Sequence, residues 1–77
     1  MCDCYVSFAS ALEVHEFVSI ATRQYFPIRM EQGNLQTDAK SIMSLCSMGF
    51  NRPIHMFYPA TADAGEFLAA VKPYMVA

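Results

Sequence analysis

The side chains with the clearest chemical capacity in this 77-residue sequence are two histidines, His15 and His55, three cysteines, Cys2, Cys4 and Cys46, and two serines at the heads of helix-like segments, Ser10 and Ser41. A histidine can accept a phosphoryl group or move a proton near neutral pH. Cys2 and Cys4, two apart on a strand, put both thiols on one face. That is half of a zinc site, and no second pair stands at a useful spacing, so no metal is expected. An odd cysteine count fits reduced thiols better than a disulfide framework. No paired carboxylates, glycine-rich loop or nucleophile–base pair is visible, which argues against a small enzyme or a metalloprotein. No cofactor is expected.

The elements that must position these groups follow from periodicity. Cys4, Val6 and Phe8 alternate with Tyr5 and Ser7, the pattern of a half-buried strand. Ser10-Ala11-Leu12-Glu13 has the form of a capping box, with the serine accepting from the amide three residues on and the glutamate reaching back. Val14, Phe17, Val18, Ala21 and Tyr25 recur at helical spacing, so a helix is predicted from Ala11 to Gln24. Pro27 marks the return to extended chain. Ile28 and Met30 oppose Arg29 and Glu31 in a second strand, and Gln32-Gly33-Asn34 turns the chain into a third over Leu35 to Thr37. A short helix follows over Lys40 to Met48, ended by Gly49. Pro53 to Tyr58 alternates with Ile54, Met56 and Tyr58 inward. A second capping box, Asp63 to Glu66, opens a last helix carried by Phe67, Leu68, Ala70 and Val71, with Pro73 at its end.

The order is strand, helix, hairpin, helix, strand, helix. One domain over residues 1–77 satisfies it, an α+β structure with a four-stranded antiparallel sheet and three helices on one face. Tyr5, Arg29, Glu31, His55 and Phe57 would share the open face, where two aromatics could support self-association, leaving monomer or weak homodimer as the expected state. Hydrophobic residues make up 55% of the chain, yet no apolar run approaches the ~20 residues of a membrane-spanning helix. The N-terminal residues lack the pattern of a secretory signal, so a cytoplasmic protein is expected. The net charge is −2, with five scattered basic residues, which speaks against nucleic-acid binding.

The segment from Thr37 to Phe50, TDAKSIMSLCSMGF, holds more apolar residues than one stripe of a short helix can bury. At helical spacing Leu45 and Met48 fall on one arc, and Ile42, Met43 and Cys46 on another. The first pair is expected to hold the sheet. The second group is expected to form an adaptable exposed patch beside Ser41.

The whole chain resembles HPr, the small phosphocarrier protein of the bacterial sugar phosphotransferase system. The resemblance is carried by Lys40-Ser41-Ile42-Met43 and Ser47-Met48-Gly49-Phe50, which match the segment around the family's regulatory serine. Phe17-Val18 also stands at the matching distance. It implies the open-faced β-sandwich of that family, and a partner surface over Lys40, Ile42, Met43, Cys46 and Ser47. It also implies Ser41 as a site of regulatory phosphorylation by an HPr kinase. The family's phosphohistidine lies in a Gly-x-His-x-Arg-Pro stretch before the first helix. Here the region reads Phe8-Ala9-Ser10-Ala11-Leu12-Glu13, with Ser10 at the histidine's place. The sequence looks closest to divergent HPr-like proteins of Firmicutes type that have lost the phosphohistidine.

The expectation is therefore an HPr-like protein that is neither an enzyme nor a histidine phosphocarrier. It would work as a regulatory or protein-interaction module, with an HPr kinase, Enzyme I or a regulator as its partner. The alternative is a phosphocarrier that uses His15 or His55 in a non-standard way.

Overall fold

The computed structural model describes residues 2–61 and 64–76. Its elements are β1 (Cys2–Val6), α1 (Ala11–Thr22), β2 (Arg29–Gln32), β3 (Leu35–Asp38), α2 (Ile42–Cys46), β4 (Ile54–Tyr58), α3 (Ala64–Val71), a 3-10 turn (Lys72–Tyr74) and β5 (Met75–Val76). The strands form one antiparallel sheet in the order β3-β2-β4-β1-β5. The expected α+β architecture and open face are present. The sheet has five strands, not four, because the chain turns back after Pro73 and Met75–Val76 pairs with Tyr5 and Val6.

Alternation places Val6, Met30, Ile54, Met56 and Tyr58 on the covered face, all buried. Val14, Phe17, Val18 and Ala21 form the buried stripe of α1. Phe17 is the centre of an aromatic cluster, 5.1 Å from Phe8, 6.3 Å from Phe67 and 6.1 Å from Tyr74 by ring centroids. These edge-on and tilted rings join the first strand's exit, α1, α3 and the C-terminal turn around one core.

Several boundaries differ from the sequence reading. β1 begins at Cys2 and ends at Val6; Phe8 is buried beyond the strand, as part of the loop into α1. α1 stops at Thr22, where the Arg23 amide bonds the carbonyls of Ala21 and Ile20. The helical period therefore breaks before Tyr25, which is exposed against the edge of the Phe26 ring while Phe26 enters the core. α2 is shorter than Lys40 to Met48, and Ser41 is its N-cap. The turn to positive φ after α2 is made by Asn51, at 59°, and not by Gly49. Gly33, also at 59°, makes the two-residue turn between β2 and β3. In α3 the buried residues are Ala64, Phe67 and Val71, whereas Ala70 is exposed. Asp63, expected to cap α3, lies outside the described residues.

Candidate functional site

Two neighbouring regions carry the candidate residues. The first is the start of α1. The Glu13 amide donates to Ser10 Oγ at 3.4 Å, and Glu13 Oε1 accepts from the Ala9 amide at 2.9 Å. The box therefore closes as the sequence implied, one residue further back on the glutamate's side. Ser10 adopts extended backbone and its carbonyl accepts from Val14. A phosphate held at a helix start needs free amides and a favourable charge. Here the capping hydroxyl takes one amide and the Glu13 carboxylate stands over the loop, adding negative charge where an anion would sit.

The second region is α2. Its N-cap Ser41 makes no capping bond; its hydroxyl donates to Ser44 Oγ at 3.1 Å, and its carbonyl accepts from the Leu45 amide at 3.1 Å. Lys40 does not point its charge at Ser41. Its Nζ donates to the Gln24 carbonyl at 2.9 Å, beyond the end of α1, while its amide donates to Asp38 Oδ1 at 2.8 Å. The Ser47 hydroxyl donates back to the Ser44 carbonyl at 2.6 Å.

The two faces of α2 separate as expected. Leu45 and Met48 are buried, at 0% and 2% exposure. Met43 is 84% exposed, Ile42 36%, and Cys46 and Ser47 are exposed. A five-residue helix resting on one side of Leu45 leaves its other side to solvent, and none of the described residues buries Met43 or Cys46. Two further exposed apolar residues, Leu12 and Phe50, were not among those the sequence assigned to a contact surface. Leu12 lies off the Val14–Phe17–Val18–Ala21 stripe, which was the signal available for it. Phe50 precedes Asn51, whose amide donates to the Phe8 carbonyl at 2.7 Å and holds the α2–β4 loop against the loop into α1. That bond joins the two regions.

The histidines belong to neither. His15 is exposed in the body of α1. His55 is on the open face of the sheet, away from the helices, with Nε2 2.6 Å from Asp3 Oδ2. Among the described residues, no three His, Cys, Asp or Glu side chains are grouped to hold a metal ion. Cys2 and Cys4 pack partly against the core from β1. Burial, aided by the charge of Asp3, pushes the Cys4 thiol above its usual range. No described helix is long and apolar enough to cross a membrane.

No family model matches the chain, and no curated protein matches it in sequence. Solved structures do. A phosphocarrier protein HPr from Bacillus anthracis str. Ames is 27% identical with a TM-score of 0.75, over 97% of this chain and 96% of that one. HPr-C-His from Thermoanaerobacter tengcongensis is 22% identical with a TM-score of 0.75, over 95% of this chain and 89% of that one. The fold is HPr-like over most of the chain, and the likeness expected from the sequence is present in the structure.

Proposed function

We propose that the chain is an HPr-like protein related to the phosphoenolpyruvate-dependent sugar phosphotransferase system, and that it acts by protein contact and not as a histidine phosphocarrier. One observation carries this reading. The start of α1 is closed by the Ser10–Glu13 cap, whereas the neighbouring α2 surface presents uncovered apolar side chains, Met43 foremost. Methionine and isoleucine on a short surface helix suit a contact that adapts to its partner. Lys40, Ile42, Met43, Cys46 and Ser47 are the residues assigned to that contact. The partner is a protein of the same cytoplasmic system: Enzyme I, an HPr kinase or a regulator.

Ser41 is the residue assigned to regulatory phosphorylation. It is half-buried, so a kinase must draw its hydroxyl off Ser44. A phosphate there would meet the Asp38 carboxylate nearby, and Lys40 would have to leave the Gln24 carbonyl to neutralise it.

Incubation with phosphoenolpyruvate and Enzyme I, followed by intact-mass measurement, tests the main claim. The expected mass is unchanged. Stoichiometric, acid-labile phosphate would overturn it, and its loss in His15→Ala or His55→Ala would establish the alternative of a displaced phosphohistidine. Incubation with an HPr kinase and ATP tests Ser41, with acid-stable phosphate absent from Ser41→Ala as the expected outcome.

A further inference from the structure

The open face of the sheet carries an ordered stack of planar groups. The Arg29 guanidinium lies 4.8 Å from the centroid of Phe57. Phe57 is 4.1 Å from His55, and His55 is 4.4 Å from Tyr5 at an interplanar angle of 16°. The stack thus runs from β2 through β4 to β1. It is fixed from the sides: Arg29 Nε pairs with Glu31 at 2.9 Å, and His55 Nε2 meets Asp3 Oδ2 at 2.6 Å. Tyr5, the last ring, is 47% exposed.

Strand register orders the charges on the same face. Asp38 pairs with Arg29, Arg29 with Phe57, and Phe57 with Asp3, so one row crosses β3, β2, β4 and β1 with a carboxylate at each end. Three gaps between strands separate Asp38 from Asp3, about 14 Å. A groove lined by residues including Gln36, Asp38 and Phe57 opens at the β3 end. Three carboxylates, Asp3, Glu31 and Asp38, share this face with one arginine, and Glu31 already holds that arginine. A phosphate backbone is repelled by such a surface. A guanidinium is attracted twice, by the ring faces and by the carboxylates. Arg29 on Phe57 is the chain's own instance of that contact.

We propose that the open face is a docking surface for an extended protein segment bearing two arginines four positions apart. Four residues of extended chain span about 13 Å, which matches the Asp3 to Asp38 separation. One guanidinium stacks on Tyr5 and pairs with Asp3; the other enters the groove and pairs with Asp38. The surface lies on the opposite side of the sheet from Met43 and Cys46, and meets the region proposed above only at Asp38, whose carboxylate accepts from the Lys40 amide.

Amide and aromatic NMR titration of the intact protein tests it, with the acetylated and amidated peptide Gly-Arg-Gly-Gly-Gly-Arg-Gly as probe. The expected result is saturable shifts at Asp3, Tyr5, His55, Phe57 and Asp38. Binding should weaken roughly two- to fivefold in each of Tyr5→Ala and Asp3→Asn. An isomer with adjacent arginines should bind more weakly. Unchanged core resonances of Val6 and Met56 serve as the fold control. Equal binding of both isomers, shifts centred on Met43, or equal shifts with oligothymidylate would overturn the proposal. So would concentration-dependent broadening of the open face without peptide, which would assign that face to a second copy of the chain.

Discussion

Lys40 Nζ donates to the Gln24 carbonyl oxygen at 2.9 Å, so the residue before Ser41 ties the β3–α2 connection to the end of α1. A cation beside helix-terminal carbonyls stabilises both the bond and the helix end. Lys40→Met is expected to lower stability by about 0.5–1.5 kcal/mol in urea denaturation. No loss of stability would mean that the ammonium is held by water and is available to Ser41.

The Ser10 cap gives a second expectation. Ser10→Ala should destabilise the fold by about 1 kcal/mol, read from the shift in the urea midpoint. Ser10→His should lose the same cap and still gain no phosphate from phosphoenolpyruvate and Enzyme I, because the Glu13 carboxylate remains bonded to the Ala9 amide. Efficient phosphorylation of Ser10→His would show that the missing imidazole was the sole obstacle.

The two faces of α2 should respond oppositely. Leu45→Ala removes a fully buried side chain and is expected to cost about 2–5 kcal/mol. Met43→Ala, at 84% exposure, should change stability by no more than about 0.5 kcal/mol while weakening the proposed partner contact. Thermal melts of the two variants side by side decide it. A comparable loss in both would place Met43 in the core of an assembly.

Alkaline pH should lower the stability of the protein through three groups. Burial raises the thiol of Cys4 and the phenols of Tyr58 and Tyr74 above their ordinary values. Nearby acidic groups add to this, including Glu16, whose carboxylate accepts from Tyr74 Oη at 3.3 Å. The unfolded chain therefore releases these protons first as pH rises. Stability is complete below the ordinary thiol value and falls from about pH 8.5 upward, and more steeply near the ordinary tyrosine value of about 10. Melting temperature measured from pH 7 to 11 should decline in that order, and Tyr74→Phe should flatten the upper part of the decline. A flat profile through pH 11 would contradict it.

Much of the architecture was legible because alternation and helical spacing are strong in this chain. Ile54, Met56 and Tyr58 declare one face of β4, and Leu45, with Met48 just past the helix end, declares the buried side of α2. β5 was not legible, because two residues after a proline have no period to read. It exists only where the edge of β1 is free to receive it. Tyr25 misled because a helix stripe cannot announce where the helix stops. Of the candidate site, the exposed patch could be read from local spacing. The commitments of Lys40 to Gln24 and of His55 to Asp3 join residues distant in sequence, and only the assembled fold specifies them.

The position of β1 has a consequence for how the chain reaches this structure. It is the first strand in order, yet both of its neighbours, β4 and β5, come from the last third of the chain. A fragment ending before Ile54 can close the β2–β3 hairpin and coil α1, but leaves β1 with neither of its partners. Sheet formation therefore waits on long-range loop closure, so folding should be slow for so small a domain and all-or-none. Ligating the ends of the chain and reopening it at the Gly33–Asn34 turn would leave the β1–β4 pairing intact, and would show whether that long closure sets the rate.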